Sequence, residues 1–240
     1  MEHVERIDYT KFTDQLDVYL HITRYRLATH AIQGEHILDV GCGYGFGTKQ
    51  MAAAHPDKQF VALDIDAHVI SYAKAHNALP NITYMVMSAT ALDLPDNTFS
   101  TIISVENIEH IDDVQAYAHE LARVLIPGGN LFLTTPNDDR LPHRVQRICN
   151  SPIIYNRFHV KEYTLGQLNH LRESAGLVCQ KKRWLYTALL PRSLRRRHAL
   201  SQRRPLTKLL VHTSHHSISS YLCLWYTKPM QVQAHTSPTA

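Results

Sequence analysis

The chain has 240 residues, of which 44% are hydrophobic and 19% charged, and its formal net charge is +4. This composition provides for a packed domain and argues against a chain that is disordered throughout. The sequence contains no run of about 18 apolar residues, which argues against a membrane-spanning helix.

The charges are distributed unevenly along the chain. Residues 1–139 contain 8 Lys and Arg against 19 Asp and Glu, whereas residues 140–240 contain 17 against 2. A basic C-terminal half indicates an anionic partner, such as a phosphorylated acceptor, a membrane surface or nucleic acid. Four scattered cysteines without a CxxC pair, and a polar start that differs from a secretory signal, favour a cytoplasmic location.

The first two thirds of the chain predict alternating strands and helices. Apolar and aromatic residues at helical spacing in residues 1–33 predict one or two helices that cap the domain. His36–Val40 is a short apolar run that ends at a glycine cluster, as a buried parallel strand does. The elements predicted after it are helix 48–54, strand 60–64, helix 69–76, strand 82–87, strand 101–105, helix 114–125 and strand 130–134.

The remaining third is less regular. Residues 137–160 predict a basic, irregular insertion, and a capping-box pattern from Thr164 to Gln167 opens a helix that Gly176 closes. Further predicted features are strands 177–184 and 221–226, a second basic insertion at 186–219 and a loose tail at 230–240. The order of elements predicts an α/β, Rossmann-like doubly wound domain over residues 34–229, with a mostly parallel seven-stranded sheet, the N-terminal helical cap and the basic C-terminal insertion.

The most informative segment follows the first predicted strand. Gly41, Gly43 and Gly45 stand between a strand and a helix, where missing side chains allow a tight turn and the close approach of a ligand. Asp64 closes the next strand, a position from which a carboxylate accepts hydrogen bonds from both ribose hydroxyls. Nicotinamide and flavin sites use the same arrangement, so these residues alone leave the class of cofactor open.

Asp39 precedes the glycines and completes a D-x-G-x-G-x-G pattern, which resembles the class I S-adenosylmethionine-dependent methyltransferases. The resemblance extends over roughly residues 20–185. It includes, in order, the strings Ser88-Ala-Thr, Leu94-Pro-Asp-Asn-Thr-Phe99, Glu109-His110, Arg123-Val-Leu-Ile-Pro-Gly-Gly and Thr135-Pro-Asn137.

This resemblance implies S-adenosylmethionine as the cofactor. The residues that it assigns to the cofactor site are Asp39, Gly41, Cys42, Gly43, Gly45, Asp64, Ile65, Ser88, Ala89 and Val105. In this assignment the glycines line the methionine and ribose, Ile65 packs on the adenine, and Ser88 and Ala89 lie at the adenine edge. The family commonly has Asp where this chain has Ser88, so the contact to the adenine amino group would be a neutral hydroxyl or absent.

Candidate catalytic residues follow the fourth predicted strand. Glu106, Glu109 and His110 stand at the carboxyl edge of the sheet, where ligands bind in such folds. If this segment is helical, the three side chains share one face. An oxygen acceptor requires a base or a metal to remove its proton, and these residue types supply either.

Two narrower resemblances lead to different acceptors. The string His21-x-x-Arg24-Tyr25-x-x-Ala28, with Ser104 to His110 and Phe158 to Thr164, resembles bacterial methyltransferases of surface-polysaccharide and glycolipid pathways, the type 11/12 group. This resemblance implies Glu109 or His110 as the base, N-terminal helices that close the pocket, and an anionic sugar, glycolipid or other small-molecule acceptor. Peripheral contact of the basic half with the inner membrane face is compatible with it. The chain is similar, more loosely, to natural-product sugar O-methyltransferases, whose base is a histidine where this chain has Glu109.

The rival resemblance is to small-RNA 3′-end 2′-O-methyltransferases, which hold a divalent metal with E-x-x-E-H and a later histidine. It implies the ligands Glu106, Glu109, His110 and His159, whereas the sugar interpretation requires no metal. Asn156 stands where that family has a further histidine. A non-catalytic S-adenosylmethionine-binding regulator is the remaining alternative. A set of histidines in the C-terminal half includes an adjacent pair that could bind a metal, but without cysteines or carboxylates nearby these residues are interpreted as surface histidines: His143, His159, His198, His212, His215 and His216.

Overall fold

A computed structural model describes residues 15–150, 159–185 and 221–230. The predicted insertion at 186–219, the first half of the predicted cap and the tail from residue 231 lie outside the described residues, as does Asn156. Among the residues that are described, no helix combines the length and apolarity needed to cross a membrane.

A seven-stranded sheet forms the centre of the fold. Its strands are β1 (His36–Val40), β2 (Gln59–Asp64), β3 (Ile82–Val86), β4 (Phe99–Val105), β5 (Leu125–Pro136), β6 (Val178–Leu185) and β7 (Tyr221–Thr227). They lie in the order β3-β2-β1-β4-β5-β7-β6, and the first five pair in parallel. β7 runs antiparallel to both β5 and β6, so the sheet is mixed. The prediction of a mostly parallel, seven-stranded Rossmann-like sheet is confirmed.

Helices cover both faces of this sheet. They are α1 (Gln15–Thr29), α2 (Phe46–Ala54), α3 (Ala67–His76), α4 (Val114–Val124), α5 (Leu141–Ile148) and α6 (Leu165–Ser174). The capping box predicted at Thr164 is present, since the Thr164 hydroxyl accepts from the Gln167 amide while the Gln167 side chain accepts from the Thr164 amide.

Successive residues of the central strands point to opposite faces, as the twofold period of a strand requires. Ile102 packs in the cluster beneath α4 and α6, whereas Ile103 packs in the cluster beneath α1 and α2. Every residue of β4 is buried. This burial explains why the strand is an apolar run rather than an alternating pattern.

One predicted feature is wrong. Residues 137–160 are not irregular throughout, because Leu141–Ile148 form helix α5. Pro142 stands in the first turn of this helix, where the missing amide proton has no intrahelical partner to lose. Pro142 is therefore compatible with the start of a helix at this position.

The packing of α1 on α2 depends on Gly47. A Cβ added to Gly47 would lie 2.2 Å from the ring of Tyr25, which is fully buried. We expect Gly47→Ala to lower the free energy of unfolding by about 1–3 kcal/mol, because the ring has to shift in a close-packed core. Chemical denaturation measures this change.

Gly166→Ala is the matched control. Gly166 is exposed in α6, and the nearest heavy atom to an added Cβ is 3.8 Å away. There alanine should be neutral or stabilise by up to about 1 kcal/mol through helix propensity. An unchanged stability of Gly47→Ala would contradict the docking of α1 described here.

Candidate active site

The loop between β1 and α2 has three glycines with different roles. Gly41, Gly43 and Gly45 all have left-handed backbone angles, with φ of 76°, 53° and 79°. A Cβ on Gly41 would lie 2.5 Å from the Asn107 side chain, and one on Gly45 would lie 2.6 Å from the Tyr84 hydroxyl. A Cβ on Gly43 would meet nothing within 4 Å. Gly41 and Gly45 are therefore required by packing, whereas the space over Gly43 is open for a ligand.

Asp64 is fixed beside this loop at the carboxyl end of β2. Its Oδ2 accepts a hydrogen bond from the Gly43 amide and its Oδ1 accepts one from the Asp66 amide, both at 3.0 Å. The next residue, Ile65, is 68% exposed although it is apolar. An oriented carboxylate beside an exposed apolar side chain is the arrangement that a ribose and an adenine ring would require.

Asp39 lies beneath the loop, fully buried. The Thr48 hydroxyl donates to its Oδ2, while its Oδ1 has no hydrogen-bond partner among the described residues. Burial, together with the nearby charge of Asp64, raises the pKa of Asp39 to about 7, although the hydrogen bond from Thr48 opposes the shift. A buried acid with an unpaired oxygen suits a cationic ligand such as S-adenosylmethionine, so this side of the site fits the expected cofactor.

The other residues expected at the cofactor site are placed differently. Ser88 is half-buried and exchanges a hydrogen bond with Thr90 at 2.9 Å, next to the buried Ala89. Cys42 and Val105 both lie in core clusters, Cys42 under α3 and Val105 under α1 and α2. Their side chains serve packing, which leaves the backbone for any contact with a ligand.

The three candidate catalytic residues do not share a helical face. Glu106 has a left-handed φ of 52°, and only Ile108–His110 form a single turn of 3₁₀ helix. The spacing of the three residues does not predict the 3₁₀ turn, because Glu106 adopts a left-handed backbone conformation directly after β4 ends at Val105. The segment lies against the glycine loop through the contact of Asn107 with Gly41.

Glu106 is held by neighbours from two other elements. Arg24 of α1 forms an ion pair with it at 3.4 Å, and the Thr134 hydroxyl of β5 donates to it at 2.8 Å. The Arg24 guanidinium also lies 3.8 Å from the centre of the Tyr221 ring. The described part of the N-terminal cap thus reaches the site through one buried arginine.

Glu109 is buried beside Glu106, with 1% of its surface exposed. The Thr135 hydroxyl donates to its carboxylate at 3.0 Å. Burial raises the pKa of both carboxyl groups. The neighbouring Glu106 adds to the effect and holds the pKa of Glu109 well above its ordinary value, whereas Arg24 and the hydrogen bond from Thr134 oppose the rise at Glu106. A proton held by this pair therefore resides on Glu109, which makes it a hydrogen-bond donor in that state.

His110 and His159 complete this group. Their ring centres are 5.2 Å apart, and polar atoms of Glu109, His110 and His159 all lie within 4.8 Å of one another. The structure thus brings together three of the four residues that the RNA-type resemblance implies as ligands. The fourth, Glu106, has Arg24 and Thr134 as its partners.

Sequence reasoning missed a buried charged network beside this group. Its hydrogen bonds join His159 to Glu162, Arg140 to Glu162, His143 to Asp138 and Arg147 to Asp138. His143 is 3% exposed, so its interpretation as a surface residue is wrong. Arg140 and Glu162 are 22 residues apart in the sequence, and of the nearer pairs only His159 and Glu162 belong to a motif that gave a signal.

Comparisons with known proteins agree with this geometry. Residues 38–133 match the family described as a methyltransferase domain. A probable S-adenosylmethionine-dependent methyltransferase of Mycolicibacterium smegmatis is 30% identical over 159 residues, which cover 65% of this chain and 57% of the relative. A ubiquinone biosynthesis O-methyltransferase of Mesorhizobium japonicum is 33% identical over 112 residues, which cover 46% and 44%.

A solved structure supports the fold. An S-adenosylmethionine-dependent methyltransferase from Archaeoglobus fulgidus superposes with a TM-score of 0.61 at 15% identity, covering 88% of this chain and 94% of that one. The likeness at this identity concerns the fold alone. The matched part of this chain spans about half the length of its curated relatives.

The role of Asp64 is open to a direct test. We expect Asp64→Ala to weaken the affinity for S-adenosylmethionine at least about tenfold, or about 1.4 kcal/mol, because the ribose hydroxyls lose their acceptor. Titration calorimetry measures the affinity. Asp57→Ala removes an exposed carboxylate outside the site and should leave it unchanged. Equal affinities of Asp64→Ala and the wild type would exclude the ribose assignment.

The buried Asp39 predicts a pH dependence of stability. Its pKa is raised in the folded state, so the folded protein binds this proton more tightly than the unfolded chain does. Its contribution to stability is present below the unfolded pKa and is lost as the pH rises through about 7. Relative to Asp39→Asn, the wild-type unfolding free energy should fall by up to about 1.4 kcal/mol per pH unit over this window. Denaturant unfolding at acidic and neutral pH measures both slopes, and parallel slopes would contradict the burial of an ionisable Asp39.

Proposed function

We propose that this chain, whose residues 38–133 match the methyltransferase-domain family, is a class I S-adenosylmethionine-dependent methyltransferase that methylates a hydroxyl oxygen of a sugar or another small molecule. The observation that carries this proposal is the group of Glu109, His110 and His159 at the carboxyl edge of the sheet. The segment with Glu109 and His110 packs against the glycine loop through Asn107. Groups that exchange protons thus stand beside the expected cofactor.

The chemistry of these groups favours an oxygen acceptor. S-adenosylmethionine, when bound, supplies a methyl group on a positively charged sulfur. A neutral amine attacks such a carbon with its own lone pair, whereas an alcohol near neutral pH needs help in losing its proton. Two imidazoles and a carboxyl group within 4.8 Å of one another provide more proton-exchange capacity than positioning alone would require. The similarity to an O-methyltransferase agrees with this choice.

Different residues of this chain would act on the cofactor and on the acceptor. The glycine loop and Asp64 orient the cofactor side, which turns the transfer into a reaction between held partners. Arg24 closes the acceptor side by pairing with Glu106 from α1. The group at Glu109, His110 and His159 removes the hydroxyl proton as the oxygen attacks.

The proposal extends to an anionic acceptor, such as a phosphate- or carboxylate-bearing sugar or glycolipid. The support is the excess of basic residues after position 140, including the exposed Arg144 and Lys161. A cytoplasmic location and peripheral contact with an anionic membrane belong to the same proposal, because long-range attraction by a basic surface would favour both.

The test is methyl transfer from labelled S-adenosylmethionine into a bacterial extract that is then separated into glycan and lipid, RNA, protein and small-molecule fractions. We expect label in the glycan and lipid or small-molecule fraction, with and without chelator. Label in RNA that disappears with chelator would replace the proposal by the metal-dependent RNA reaction. Cofactor binding without transfer into any fraction would favour a non-catalytic binding protein. A double variant, Gly43→Val with Asp64→Ala, serves as the control for label that does not depend on the cofactor site.

A further inference from the structure

His159 has a carboxylate on one of its two ring nitrogens. Its Nδ1 lies 3.2 Å from Oε1 of Glu162, and Glu162 is buried with 4% exposure. A carboxylate at this nitrogen fixes the ring and keeps the proton on Nδ1. The lone pair of the neutral ring then resides on Nε2.

Glu162 is in turn held by Arg140. The two guanidinium nitrogens of Arg140 donate to the two oxygens of Glu162, which is the bidentate geometry of a strong ion pair. Burial would raise the pKa of Glu162, but the hydrogen bonds from His159 and Arg140 outweigh it and lower the pKa below its ordinary value. Glu162 therefore stays ionised and accepts hydrogen bonds from both neighbours.

The segment with His159 and Glu162 is fixed to the rest of the site by its backbone. The amides of Val160 and Lys161 donate to the carbonyl oxygen of Glu109, at 2.8 and 3.3 Å. The Asp138 amide donates to the carbonyl oxygen of Tyr163 at 3.1 Å. These hydrogen bonds fix the segment of His159 between the 3₁₀ turn of Glu109 and the residues after β5. The side chain of His159 remains 11% exposed.

The carboxyl groups near His159 are less suited to take a proton. Glu109 favours its protonated form, as described above, and Glu106 is engaged by Arg24 and Thr134. His110 is the remaining titratable neighbour within this group, and its ring stands nearly perpendicular to that of His159. The ring of His159 is oriented by its hydrogen bond to the ionised Glu162 carboxylate.

We propose that His159 is the general base of the methyl transfer and that Glu162, held by its ion pair with Arg140, is the positioning residue of His159. This inference rests on the proposed function. As the acceptor oxygen forms its bond to the methyl carbon, the carbon–sulfur bond breaks and the sulfonium becomes a neutral thioether. The hydroxyl proton passes to Nε2 of His159. Glu162 stabilises the resulting imidazolium, which then releases the proton to solvent.

The orientation of His159 is measured first, on the protein alone. In ¹⁵N spectra of histidine-labelled protein at about pH 8, the neutral ring should carry its proton on Nδ1. The His159→Gln variant assigns the signal by its loss. In Glu162→Gln the amide no longer enforces this tautomer, and we expect a shift toward protonated Nε2. Glu120→Gln, the same change at an arginine-paired carboxylate of α4 outside this network, should leave the His159 signal as in the wild type. A wild-type ring protonated on Nε2 would overturn the proposal.

Turnover is measured second, with labelled S-adenosylmethionine and the extract fraction that the wild type labels. Loss of a general base should lower the rate by about 10²–10⁴-fold in His159→Gln, with cofactor affinity unchanged by calorimetry. Glu162→Gln should lower kcat at least about tenfold without a matching change in KM, and Glu162→Asp should restore part of it. Glu120→Gln should stay within about threefold of the wild type.

Different outcomes would overturn the role of His159 and the proposed function. Wild-type labelling that persists in His159→Gln would overturn the role of His159 and leave the proposed function standing. Wild-type labelling that is abolished by chelator and restored by Mg²⁺ or Mn²⁺ would assign His159 to a metal instead of a proton. No labelling of any fraction by the wild type would overturn the proposed function, and the assignment of the base with it.

Discussion

Two carboxyl groups buried side by side at the end of β4 impose the main electrostatic constraint on this molecule. Glu106 and Glu109 cannot both be ionised in a dry site without compensation, since the desolvation of each charge costs several kcal/mol. Arg24 comes from α1 to pair with Glu106, and Thr134 and Thr135 come from β5 to donate hydrogen bonds. The compensation of these two carboxyl groups therefore connects α1, β5 and the turn after β4.

Buried acids in the charged network that follows β5 are also compensated by cations. Asp138 and Glu162 are buried, and Arg147 and Arg140 compensate them in turn. Part of the basic excess of the C-terminal half thus neutralises acids of its own fold. Within the part of the chain that the structure describes, Arg144 and Lys161 are exposed cations that remain available for a partner. A count of charges in the sequence does not separate these two uses.

Sequence patterns predicted the regular elements well where the pattern is local. All seven strands were expected, and the capping box at Thr164 was expected to the residue, because its two hydrogen bonds join positions three apart. Helix α5 was missed within the basic segment, although a proline such as Pro142 is tolerated in the first turn of a helix. The expectation that Glu106 and His110 share one helical face was wrong, because the left-handed backbone at Glu106 depends on tertiary contacts that the sequence spacing does not encode.

The sequence by itself therefore determined the fold class, the glycine loop and the position of Asp64, because each depends on residues adjacent in the chain or on strand ends that a parallel sheet places at one edge. The tertiary structure alone decided the partners of the charged groups. It buried His143, paired Arg24 with Glu106, and placed Glu162 on His159 beside Glu109. Ion pairs and protonation depend on burial and on distances between remote segments, which no local pattern records.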